Sequence, residues 1–144
     1  MTFVEGIGGA FIFSKDPTRL ATWYTDNLGL EFEGDAKNGV YYQVFWALDP
    51  DDPNHKMDTT FSIMRATKDF ANPATSPEPD NMYGDQPFMV NVRVRDIDAL
   101  ISHLGSKGID PIKRMDEVYG RFAWIRDADG NRVELYEPLP RVVE

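Results

Sequence analysis

Large apolar residues alternate with polar ones along several short runs of this chain, and two other stretches repeat their apolar residues every three to four positions. A period of two marks a half-buried strand, and a period near 3.6 marks an amphipathic helix. "GAFIFS", residues 9–14, predicts a first strand. "KDPTRLATWYTDNLG" then predicts a helix. Asp16 suits the N-cap, Pro17 the first helical position, and Leu20, Trp23, Tyr24 and Leu28 share one face. Gly29 ends it in the usual C-terminal manner. Three strand-like runs follow, around "LEFEG", "GVYYQVFWAL" and "TTFSIMRA". Between the last two, "DPDDPNHKMD" carries two prolines and four acids and predicts a solvated loop.

"TKDFANPATSPEPDNMYGDQP", with four prolines and few large apolar residues, predicts a linker. Beyond it the pattern restarts: "MVNVRVRDIDALISHLGSKGIDP" predicts a strand, an Asp cap, a helix and a glycine-punctuated stop. Asp16 aligns with Asp96 at an offset of 80, Gly39 with Gly120 at 81, and "TFSIM" with "RVELY" at 72. An internal duplication follows, each half reading strand–helix–strand–strand–strand. The expected organisation is a single domain with module one at residues 1–66, a linker at 67–87 and module two at 88–144.

The period of two also sorts side chains by face. Gly9, Phe11 and Phe13 go together on the first strand, Met89, Asn91 and Arg93 on its repeat, and Arg132, Glu134 and Tyr136 on the last. The other face is apolar: Ala10, Ile12, Phe61, Ile63, Val90, Val92, Val94, Val133 and Leu135 are expected to pack under the helices. Glu134 therefore points away from the helix-packed core. Trp46 and Trp124 lie on the third strand of each half.

Composition narrows the function. With 144 residues, 42% hydrophobic and 12% aromatic, the chain can bury an ordinary globular core. A net charge of −9 argues against nucleic acid and against anionic lipid. There is no cysteine, which excludes disulfides, zinc–thiolate sites and thiol nucleophiles. "MTFVEGIGGAFIF" has no basic n-region and too short an apolar run to span a bilayer, so the expected location is cytoplasmic.

"KDPTRLATWYTDNLGLEF" resembles the first module of the vicinal-oxygen-chelate superfamily, which includes glyoxalase I, extradiol dioxygenases and bleomycin-resistance proteins. "FMVNVRVRDIDALISHLGSKGID" and "YGRFAWIRDADGNRVELYEP" are similar to its second, the D-x-D-G-N-x-x-E-L-x-E-P tail being the most specific part. The resemblance implies an α+β fold of two βαβββ modules forming a cup-shaped mixed sheet, and a homodimer. It also implies a divalent metal held by four side chains, at places that fall here on Gly9, Ser62, Met89 and Glu134. Glycine offers no donor, and serine and methionine are poor ligands for such ions. His55 lies in the acidic loop and His103 on the second helix. The expectation is no metal and no cofactor.

What remains is a cup lined by Phe11, Phe13, Met89 and Tyr136, with Asn91, Arg93 and Glu134 among them and Trp46 and Trp124 as aromatic walls. Such a lining suits a small organic molecule. Glu134 is the candidate catalytic residue, as a general base among apolar neighbours. It is also a candidate ligand contact, or a structural carboxylate paired with Arg93, Arg132 or Arg121. Tyr41, Tyr42, Phe45 and Trp46 read as a stacking surface, as core or as a subunit interface. "DADGN" has the chemistry of a tight hairpin rather than a calcium loop. The leading expectation is a glyoxalase/bleomycin-resistance-like protein that binds a small organic molecule without metal. The alternatives are a lyase, isomerase or dioxygenase using Glu134 as general base or metal ligand, and a protein acting only through dimer or partner contacts.

Overall fold

In the computed structural model the described residues are Ile7, 9–66 and 89–140, and the expected linker at 67–87 lies outside them. The chain divides into two compact units, each with its own four-stranded sheet. The first sheet comprises β1 (Gly9–Ser14), β2 (Glu33–Asp35), β3 (Val40–Leu48) and β4 (Lys56–Arg65), ordered β1-β4-β3-β2. The second comprises β5 (Val90–Arg93), β6 (Lys113–Glu117), β7 (Gly120–Arg126) and β8 (Arg132–Pro138), ordered β5-β8-β7-β6. In each sheet the first strand runs parallel to the last and the other pairs are antiparallel. A parallel pair needs a long crossover, and each unit spends its helix there. This is the expected α+β arrangement of two βαβββ modules.

Helix α1 (Pro17–Leu28) forms where expected. Asp16 accepts a hydrogen bond from the Arg19 backbone N–H, and Gly29 closes the helix in the left-handed conformation at φ 73°. Leu20 and Tyr24 are fully buried, and the Tyr24 ring meets Phe61 of β4 at 5.1 Å. In the second unit α2 (Ile97–Ser106) is capped by Asp96, which accepts from Ala99. Ile97 and Leu104 are buried, as are Ala123, Ile125, Val133 and Leu135, the residues that alternation assigned to the helix side or that face across from it. Each such side chain taken from water contributes about 1.5–3 kcal/mol for the larger aliphatics.

Two details differ from the sequence reading. The strand expected around "LEFEG" begins only at Glu33, because Leu30 is buried and Phe32 packs on Phe61 at 6.1 Å before strand pairing starts. The alignment of Gly39 with Gly120 is also one residue out. Ser62 of β4 pairs with Tyr42 of β3, and Glu134 of β8 pairs with Trp124 of β7. Tyr42, rather than the Gln43 that the offset of 81 gives, is therefore the counterpart of Trp124. The slip arises because the turns before β3 and β7 differ in length, and a glycine closes each.

Candidate functional site

Strand β8 lies between β5 and β7, so its residues from Val133 to Tyr136 have a neighbour on both sides. The register sets Asn91, Glu134 and Trp124 in one row and Arg93, Tyr136 and Phe122 in the next, all on the face turned away from α2. Glu134 is clamped within its row. The Asn91 amide donates to Oε1 at 2.6 Å and the Trp124 indole N–H donates to Oε2 at 2.9 Å. Hydrogen bonds to an ionised acceptor are the strong kind, and two from opposite strands fix the carboxylate in place. Glu134 is half-buried, Asn91 is exposed, and Trp124 is only 1% exposed.

An aromatic stack continues the site. Phe122 lies nearly parallel to Tyr136, with centroids 5.0 Å apart, and to Trp124 at 6.2 Å. Gly120 makes room for it: a Cβ there would come within 2.5 Å of the Tyr136 ring. The hairpin leading into β8 is built by Asp127. Its Oδ1 accepts from the Asp129 and Asn131 backbones and its Oδ2 from the Asn131 amide, each at 2.9 Å, while Gly130 adopts φ 84°. "DADGN" is thus a turn whose carboxylate serves its own backbone.

The two acids of "VELYEP" divide their work by parity. Glu134 is on the helix-free face. Glu137, three residues on, faces α2 and accepts from the Ile97 backbone N–H at 2.8 Å, satisfying a helix N-terminal donor. Arg121 lies on that side as well and pairs with Asp98 at 3.3 Å, so it is not the partner of Glu134. Sequence reasoning missed Phe122 and the seat under Tyr136. Counting back from Trp124 in steps of two along the strand would have found Phe122 and then Gly120.

The first sheet puts Gly9, Phe11 and Phe13 on its helix-free face, with Ser62 beside Phe11 and Trp46 further along β3, opposite Asp58. Phe11, Phe13 and Trp46 are at least half exposed, and Ser62 is buried. Met89, just before β5, is half-buried. The four places implied for a divalent metal do not fit one. Gly9 has no donor, and a Cβ at that position would lie 2.6 Å from the Thr60 carbonyl oxygen, so a longer side chain needs a backbone shift. Ser62 and Met89 are weak donors, which leaves Glu134 as the one strong donor of the four. Among the described residues, no three of His, Cys, Asp and Glu gather as a metal site.

The sequence matches the Glyoxalase/Bleomycin resistance protein/Dioxygenase superfamily over residues 6–135. No curated protein matches it. Among solved structures, it is similar to TnmS3, an antibiotic binding protein from Streptomyces sp. CB03234, at 17% identity and TM-score 0.61, covering 96% of this chain and 100% of that one. TioX from Micromonospora sp. ML1 is 16% identical with TM-score 0.61, covering 94% of this chain and 100% of that one. The virulence protein STM3117 from Salmonella typhimurium is 15% identical with TM-score 0.63, covering 96% and 100%. At these identities the likeness concerns the fold. No helix among the described residues is long and apolar enough to cross a membrane.

Proposed function

Because the chain belongs to the Glyoxalase/Bleomycin resistance protein/Dioxygenase superfamily, we propose that it binds a small organic molecule on the helix-free face of its second sheet, without the divalent metal of related enzymes. The observation that carries this is the clamp on Glu134, whose oxygens take N–H donors from both flanking strands. A carboxylate held this firmly beside stacked rings offers a ligand a fixed acceptor next to an apolar surface, the usual make-up of a small-molecule site. Glu134 acts as anchor, with Phe122 and Tyr136 as the apolar contact and Asn91 and Trp124 as positioning residues. The description of TnmS3 as an antibiotic binding protein supports the same reading. In this proposal the protein works in the cytoplasm as a homodimer, with the exposed aromatics of the first sheet as the apolar patch at its interface.

Bleomycin, followed by a panel of other natural-product antibiotics, is titrated into the full chain by calorimetry and tryptophan fluorescence. The expected result is saturable one-to-one binding by at least one of them, weakened about tenfold by Glu134→Gln, the worth of one charge-assisted hydrogen bond. Glyoxalase and extradiol-dioxygenase substrates are expected to show no turnover. Absence of saturable binding across the panel, or turnover that depends on an added divalent ion, would overturn the reading.

A further inference from the structure

The helix-free face of the second sheet carries a second polar group that a single anchor does not use. Arg93 is paired with Tyr136 in the register, one row along from Glu134. Same-face rows on a strand are roughly 7 Å apart. Arg93 is exposed, and among the described residues it makes no ion pair. Arginines on the other face are engaged, since Arg114 and Arg121 both pair with Asp98, at 2.6 and 3.3 Å. Glu134 leaves Arg93 aside and takes two uncharged donors instead. An acid and a base thus stand on one face, Glu134 with a lone pair left on each oxygen beyond its single N–H bond, and Arg93 without an ion pair among the described residues. Beside Arg93, in the same row, lies the ring of Tyr136, seated on Gly120 and stacked on Phe122.

We infer that this site takes an amphoteric aromatic molecule, with an N–H donor on Glu134, an anionic group on Arg93 and a ring over Tyr136. This rests on the small-molecule reading above and narrows its ligand class. The spacing suits a ligand whose two polar groups sit across a para-substituted ring. Charge argues the same way. A chain of net charge −9 repels a carboxylate at long range, and an exposed arginine is the feature that admits one. For a purely cationic ligand the same arginine is a like charge and a penalty.

The test follows the Trp124 indole N–H and the Asn91 side-chain amide by proton–nitrogen NMR on the full chain, because both donate to Glu134. The probes are 4-(aminomethyl)benzoate, benzylamine and benzoate. The amphoteric probe is expected to shift both signals and to bind at least fivefold tighter than either monofunctional one. Arg93→Met should weaken the amphoteric probe and strengthen benzylamine, and Glu134→Gln should remove the advantage over benzoate. Arg93 is exposed, so its replacement leaves folding intact. If benzylamine binds as tightly as the amphoteric probe, or Arg93→Met leaves their ratio unchanged, the inference is overturned and the binding reading stands. The same holds if bleomycin moves the two signals and no probe does. If neither any antibiotic of the panel nor any probe moves them, both fail.

Discussion

At equivalent places on the two sheets, one row reads Phe11, Ser62 and Tyr42 and the other reads Asn91, Glu134 and Trp124. The backbones follow one plan, and the buried helix-facing residues, Phe61 and Ile63 in one unit and Val133 and Leu135 in the other, are apolar. The helix-free faces have separated. The first is a field of exposed aromatics, with Phe11 at 58% and Trp46 at 63% exposure. The second draws its tryptophan down to 1% and ties it to a carboxylate. Duplication thus preserves what packs a helix on a sheet and releases the other face to diverge. A difference in burial at matched positions makes predictions, because substitutions there cost in proportion to the contacts they remove.

The largest contrast lies between Trp124 and its counterpart Tyr42. Trp124→Ala empties a fully buried site and strips Glu134 of a donor, so a loss of about 3–5 kcal/mol is expected. Tyr42 is 37% exposed, and Tyr42→Ala is expected to cost less than half as much. Urea unfolding of both variants measures the difference. Equal losses would mean that the two faces are not distinct in the way the burial suggests.

The closing glycines of the two β-turns come next. Gly120 is held to glycine by packing, since a Cβ would strike the Tyr136 ring at 2.5 Å and approach the Glu137 carbonyl at 3.1 Å. Gly120→Ala should cost roughly 1–3 kcal/mol through overpacking and should shift Tyr136. Gly39 is held chiefly by backbone conformation, at φ 67°, the nearest neighbour of a Cβ there being the flexible Arg65 side chain at 2.7 Å, and Gly39→Ala should cost about 1–2 kcal/mol. The two costs separate by cause. Gly120→Ala is expected to change the near-ultraviolet aromatic signal, while Gly39→Ala lowers the thermal midpoint and leaves that signal alone.

Much of this was legible in the sequence. The α1 boundaries, the succession of strands and helix along each repeat and the facing of Glu134 follow from capping residues and alternation, which are local signals. The tie between Asn91 and Glu134 was half legible: parity put both on one face, but only the register brings β5 beside β8. Trp124 was placed on the right strand, but its counterpart Tyr42 was missed, because the offset counted from the turn glycines inherits the difference in turn length and lands on Gln43. Phe122 went unnoticed for want of a charge to draw attention to it. Glu137 could not be read at all, because its partner is a backbone N–H 40 positions away.

Glu137 gives the third test. In the first unit, position one of the helix is Pro17, which has no N–H to satisfy. In the second it is Ile97, whose N–H goes to Glu137. The β4 residue matching Glu137 is Arg65, which reaches the Ala36 carbonyl at 3.3 Å and caps nothing. Glu137→Ala should therefore cost about 1–2 kcal/mol. Arg65→Ala should stay within roughly 0.5 kcal/mol. A comparable loss from both would show that the helix caps are not where the two units differ.

The smallest expected effect on stability belongs to the exposed aromatics of the first sheet. Phe11→Ser and Trp46→Ser remove side chains that are more than half exposed, so each should change the unfolding free energy by no more than roughly 0.5 kcal/mol. Their consequence should appear in assembly instead. Large apolar groups left exposed at the surface are the kind that cover one another between copies. Sedimentation equilibrium of the double variant should show the monomer–dimer balance moved toward monomer, with an unchanged melting midpoint at low concentration. A wild-type chain that sediments as a monomer throughout, or a double variant as dimeric as the parent, would remove self-association as the reason the first face kept its aromatics. The contrast between the units would then rest on the second face alone, where one buried tryptophan and one clamped carboxylate replaced what the first face leaves in the open.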